Sequence, residues 1–125
     1  MIRGSNGRIV TFFDQALADA RFSGETWGQQ CARIVAALPQ EVYVSFDIDG
    51  LDPALCPNTG TKVPGGLSFP MACALLKTLV GSGRRLVGFD LTEVAPSKDG
   101  SEWDENVGAR LLYKLCGHTL GSMRS

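Results

Sequence analysis

The sequence predicts an α/β fold: a three-layer α/β/α arrangement around a mostly parallel sheet, with about three strands and three principal helices present. Three observations carry that expectation. Short β-branched and aromatic runs occur at residues 9–13 (IVTFF), 42–46 (VYVSF) and 85–91 (RLVGFDL). Stretches with apolar residues at steps of three and four alternate with them. The second and third runs end in acid, at Asp47 and Asp49 and at Asp90 and Glu93. In parallel sheets ligands bind beyond that carboxyl edge.

Taken in order, residues 1–8 lack periodicity and are expected to fray. Residues 9–13 read as a strand, followed by Asp14, and QALADARFSG suits a helical turn or a loop equally. Residues 25–38 form a helix, because Trp27, Cys31, Ile34, Val35 and Leu38 make one apolar stripe; Ser23 is its expected cap and Pro39 its stop. This helix returns the chain to the central strand at residues 42–46. Beyond Asp49 lies an irregular stretch of roughly 18 residues rich in Gly and Pro, a length uncommon in a compact domain unless it has work to do. Ser68 caps the next helix and Pro70 sits in its first turn, with Met71, Leu75, Leu76 and Leu79 as the buried face and Gly81 or Gly83 as the end. On the third strand Asp90 is expected to share a facing register with Leu86 and Gly88. Ser101 and Asp104 form a capping box for the last helix, which packs through Val107, Leu111, Leu112 and Leu115 and ends at Gly117. Residues 9–117 are thus one domain, and residues 118–125 a flexible tail.

Composition narrows the function. The chain has 125 residues, with Lys and Arg (12) nearly balancing Asp and Glu (13) and no basic stripe, which argues against a nucleic-acid partner. No apolar run reaches the ~20 residues of a membrane span, and no signal-peptide core opens the sequence, so the expected place is the cytoplasm. Cys31, Cys56, Cys73 and Cys116 lack metal-site spacing; Cys31, Cys73 and Cys116 fall in apolar helical patterns and read as buried free thiols, in keeping with a reducing compartment.

The chemistry concentrates at residues 42–66. Asp47 and Asp49 are two apart on an extended chain, so both carboxylates face one side while Ile48 faces the other. Like charges that close need an offset: a metal, a shared proton or a cationic partner; Asx-type capping of the loop is the structural alternative. Hard oxygen donors without nearby cysteine favour Mn²⁺ or Mg²⁺. Glu93 is a further acid at the same edge, a ligand or substrate carboxylate or else a loop ion pair. Asp90 is a candidate second-layer group, and Thr61, between Gly60 and Lys62, a candidate pocket hydroxyl. Asp52 before Pro53 reads as a turn residue, Trp27 and Trp103 as packing residues, and His118 as a surface or capping histidine. No histidine lies near the strand ends.

SFDIDGLDP, then PNTGTKVPGGLSF, then VGFDLTEVAP, closing on VGARLLYKL, resembles the arginase/agmatinase superfamily of ureohydrolases, over residues 9–117. The resemblance implies a partial ureohydrolase fold, a binuclear Mn²⁺ cluster (two ions per complete active site) and hydrolysis of a guanidino compound to urea and an amine. It implies that Asp47 and Asp49 are catalytic metal ligands, that Glu93 receives the guanidinium group and that Thr61 lines the same pocket. Lys62 departs from the proline common there. The family's histidine and Asp-x-His-x-Asp ligands have no counterpart, so the chain is similar to a C-terminal portion, agmatinase-like in flavour, inactive alone. The partners implied are a small cationic guanidino substrate and, for the intact enzyme, further copies in a homo-oligomer, with neither nucleic acid nor membrane. The alternative is an inactive fragment or orphan α/β polypeptide keeping a weak divalent-metal site.

Overall fold

Two parallel strands carry the sheet in the computed structural model, which describes residues 2–124: β1 (Glu41–Asp47) and β2 (Arg85–Thr92). Four helices accompany them, α1 (Asp14–Phe22), α2 (Trp27–Ala36), α3 (Phe69–Gly81) and α4 (Trp103–Ser122). The α/β fold with a parallel sheet is therefore as the alternation of patterns requires.

Side-chain alternation sorts the sheet. Val42, Val44 and Phe46 lie opposite Leu86, Phe89 and Leu91. These residues pack against the helices, Val42 and Leu86 with Val35 of α2 and Leu79 of α3, the rest with Ala72 and Leu76 of α3 and Leu111 and Leu115 of α4. Alternation breaks once: Val42 pairs with Leu86 but Tyr43 pairs with Gly88, so Val87 is an extra residue, a bulge. Tyr43 and Val87 remain 58% and 48% exposed. A β-carbon on Gly88 would stand 2.9 Å from Cε2 of the exposed Tyr43 ring, which would have to swing aside to admit it.

The caps explain two helix starts. Thr26 accepts from Gln29 N while Gln29 Oε1 accepts from Thr26 N, a reciprocal box that opens α2. Ser68 Oγ accepts from Met71 N (3.2 Å) and Pro70 occupies the first turn of α3, as its sequence implies.

Several expectations are corrected. Residues 9–13 form no strand: Phe13 has extended dihedrals, but the segment has no ladder partner, and Val10 and Phe13 are exposed. The sheet thus has two strands where three are expected, and the described residues place helices on one of its faces. The undecided stretch after Asp14 is α1, and Ser23 ends that helix in place of capping α2. The box of Ser101 and Asp104 does not form: Ser101 Oγ accepts from Trp103 N, and Asp104 N donates to Ser97 Oγ. Gly117 does not terminate α4, nor is 118–122 a flexible tail. The helix continues because Ser122 Oγ accepts from Leu86 N of β2 (3.1 Å) and Thr119 is buried, long-range contacts that outweigh a poor helix former. Leu112 lies 44% exposed, off the packing face, and Cys116 is exposed while Cys31 and Cys56 are buried. At the other end, residues 3–5 make a short 3₁₀ turn; Met1 and Ser125 lie outside the described residues. No helix among the described residues is long and apolar enough to cross a membrane.

Candidate active site

Parallel pairing brings both strand ends to one edge. Asp47 lies opposite Thr92 in the last rung of the ladder, so the turn carrying Asp49 and the residue after Thr92, Glu93, leave the sheet side by side. Asp47 is exposed, and its Oδ1 accepts from Asp49 N (3.1 Å), closing a 3₁₀ turn at Ile48–Gly50. That is the Asx-type cap, and it engages one of the two Asp47 oxygens. Ile48 is fully buried beneath the turn; the extended chain expected through Asp49 instead stops at Asp47, so strand alternation does not set where the Asp49 carboxylate faces. Asp49 is half-buried, and its Oδ2 accepts the Thr61 hydroxyl.

Thr61 reaches Asp49 because its loop is tied down at both ends. Asp52 caps the turn at Pro53–Leu55 by accepting from Ala54 N (2.8 Å), the turn role its place before Pro53 suggests. Asp52 N donates to Leu67 O (2.8 Å) and Leu67 N to Gly50 O (3.0 Å). Gly66, at φ +85°, passes against Leu51 in the same contact, and Gly65 lies where a β-carbon would stand 2.8 Å from Asp14 Oδ2. Lys62 turns back on its own loop, donating to Thr59 O (3.4 Å). Cys56 is buried under the loop with its Sγ 3.4 Å from Ile48 O; burial first, then the carboxylates of Asp104, Asp49 and Asp52, push its thiol pKa up.

Glu93 is exposed and held at φ +66°, an uncommon conformation for a non-glycine residue. Asp90 differs from its expected register. The Val87 bulge puts it opposite Ser45, facing away from Leu86, and it accepts from Ser45 Oγ (2.9 Å). The same carboxylate, hydrogen-bonded to the Tyr43 phenol, pushes that phenol's pKa up. Asp90 therefore serves the face of the sheet two rungs before Asp47. His118 lies within α4, away from the strand ends, and Trp27 and Trp103 donate their indole N–H groups to Met71 O (3.0 Å) and Ala54 O (2.9 Å).

A divalent ion can be tested against these donors. Asp47 and Asp49 are hard oxygen donors of the type Mn²⁺ and Mg²⁺ accept. Among the described residues, however, no group of three or more His, Cys, Asp or Glu side chains comes together to hold a metal. The fit is right in kind and incomplete in number.

Sequence reasoning missed the groups that tether the loops. Asp104, 1% exposed, receives two hydrogen bonds from Asn58, and Ser97 Oγ accepts from Asp104 N while its one hydroxyl proton is shared between Glu105 Oε2 (2.7 Å) and Asp104 Oδ1 (3.1 Å). Asn58 is 46 positions from Asp104, and no local period reports such a pairing.

The Arginase family matches residues 14–117. The agmatinase of Proteus mirabilis is 45% identical over 86 residues, which make up 69% of this chain and 27% of that protein. The guanidinobutyrase of Pseudomonas aeruginosa is 38% identical over 96 residues, 73% of this chain and 30% of that protein. Among solved structures, the proclavaminate amidino hydrolase of Streptomyces clavuligerus superposes with a TM-score of 0.70 at 31% identity, covering 92% of this chain and 40% of that one. The chain spans less than a third of the length of these two curated relatives.

Proposed function

The chain belongs to the arginase family of ureohydrolases, and from that premise we propose that it contributes the acidic edge of a manganese-dependent site that hydrolyses an agmatine-like guanidino compound to urea and an amine. The observation that carries this reading is the last rung of the ladder, where Asp47 pairs with Thr92, so that the residues following the two, the turn with Asp49 and Glu93, leave the same edge of the sheet. Relatives named agmatinase and guanidinobutyrase support a guanidino substrate.

In this proposal Asp47 and Asp49 hold the metal, and Thr61 fixes the Asp49 carboxylate by donating to it. A Mn²⁺ ion held by Asp47 and Asp49 together with donors outside the described residues would supply a water that gives up its proton more readily near neutral pH. Glu93 holds the planar guanidinium cation by charge-assisted hydrogen bonds, which orient its carbon for attack. Asp90, bonded to Ser45, steadies the strand from which Glu93 departs. Four free thiols support the cytoplasm as its compartment, and a homo-oligomeric intact enzyme is part of the same proposal.

Titration of the ¹⁵N-labelled chain with Mn²⁺ tests the site. Paramagnetic broadening is expected first at residues 47–49 and is lost in Asp47→Asn/Asp49→Asn; broadening centred elsewhere, or indifferent to that double variant, overturns the assignment. A second reading rests on the incomplete donor set: the 125-residue polypeptide by itself releases no urea from agmatine or arginine with Mn²⁺ added. Robust turnover would refute it.

A further inference from the structure

Asp104 is a charged group removed from water at the head of α4, outside the acidic edge. A carboxylate in the first turn of a helix ordinarily serves the helix's own N–H groups. This one is turned to two remote segments. Its Oδ2 accepts from Asn58 N (2.9 Å), and its Oδ1 accepts from Asn58 Nδ2 (2.9 Å) with Ser97 Oγ at 3.1 Å. Burial works against the charge, but the bonds from Asn58 and Ser97 outweigh it and leave the pKa below the ordinary aspartate value. Ser97 is held a second time by the next residue of α4: its N donates to Glu105 Oε1 (2.9 Å) and its hydroxyl lies 2.7 Å from Glu105 Oε2.

The two tethered segments are those that carry the proposed site. Asn58 precedes Thr61 by three residues in the loop whose far end meets Asp49, and Ser97 follows Glu93 by four. Two contacts reinforce the same seat. Trp103 Nε1 donates to Ala54 O, and Gly108 lets α4 approach so near that a β-carbon on it would stand 2.9 Å from Val94 Cγ1, the residue next to Glu93.

We infer that Asp104 is a positioning residue for the acidic edge: through Asn58 it sets the loop that brings Thr61 to Asp49, and through Ser97 it sets the segment leading away from Glu93. The inference rests on the reading of Asp47, Asp49 and Glu93 as the site, but its test is separable from that reading.

Asp104→Asn keeps the size of the side chain and exchanges one acceptor for a donor, which then faces a donor of Asn58 or Ser97. In the ¹⁵N,¹³C-labelled full chain, amide exchange at residues 58–61 is expected to quicken about tenfold, with Leu76 and Leu111 amides unchanged. The Asp49 carboxyl ¹³C resonance is expected to move toward its position in Thr61→Val, a change that a purely structural cap would not produce. Asn58→Asp/Asp104→Asn reverses donor and acceptor and is expected to return both signals toward wild type. An unmoved Asp49 resonance, unchanged exchange at 58–61, or a double variant no better than the single one overturns the inference. Should Asp104→Asn unfold, Asn58→Ala trims a half-buried loop side chain and is judged by the same two signals. A wild-type chain in which Mn²⁺ leaves residues 47–49 sharp sinks the functional reading alone; the Asp49 resonance still decides Asp104.

Discussion

Gly66 passes Leu51 so closely that a β-carbon on it would lie 2.5 Å from the Leu51 carbonyl oxygen. Backbone, unlike a flexible side-chain tip, cannot swing aside, and φ is +85° there, where L side chains are strained. Gly66→Ala is therefore expected to destabilise the chain by about 2–3 kcal/mol and to lower the urea midpoint by about 1 M. Gly60→Ala is the control, because nothing lies within 4 Å of its β-carbon; it should stay within about 0.5 kcal/mol of wild type.

His118 gives the chain a weakness on the acid side of neutrality. Burial, then the charge of Lys114, hold its pKa below the ordinary 6.5. The unfolded chain takes up the proton first, so stability falls as pH drops from about 6.5 toward the lowered folded value. His118→Gln is expected to flatten that slope in urea midpoints measured between pH 7.5 and pH 5. Equal slopes in the two proteins would refute it.

Asp104 acts in a lower window. Its folded pKa is depressed, so the stability it contributes is fully present above the unfolded value of about 3.9 and is lost as pH falls through the folded one. Between about pH 4 and pH 2 the wild-type midpoint should fall more steeply than that of Asp104→Asn. Parallel acid limbs would show that the carboxylate gains nothing from Asn58 and Ser97.

The four thiols should divide by position. Cys116 is exposed and Cys73 half-buried, while Cys31 and Cys56 are buried and burial raises both their pKa values. A thiol reagent at pH 8 should label Cys116 first, Cys73 more slowly, and Cys31 and Cys56 only on denaturation. Peptide mass spectrometry reads the order, and early modification of Cys56 would contradict the packing beneath Ile48.

Local signals in the sequence reached some features and missed others for identifiable reasons. Strand β1 and the Ser68 cap of α3 follow from periods and spacings within a few residues. The segment 9–13 has strand composition, but a strand needs a neighbour, and none of the described residues supplies one. Gly117 is a sound helix terminator on propensity; Ser122, bonded to the Leu86 amide, belongs to a contact 36 positions away. Ser101 sits at capping-box spacing, yet Ser97 takes the Asp104 amide because its segment is already drawn in by Glu105. The candidate residues Asp47, Asp49 and Glu93 stand at or next to strand ends, where pattern is informative, whereas Thr61 lies inside the irregular loop between Leu55 and Phe69 and is singled out by the family resemblance. The Asp104 tether joins distant loops, and nothing local announces it.

The spare residue in β2 makes that strand unevenly tolerant of shortening. Excising Val87 would leave every cross-strand partnership intact, Leu86 with Val42 and Gly88 with Tyr43, because that residue has none of its own to lose. Excising Phe89 instead would shift the frame of the strand beyond it, sending Asp90 toward the oily side and Leu91 toward water. The strand can give up that link without turning over.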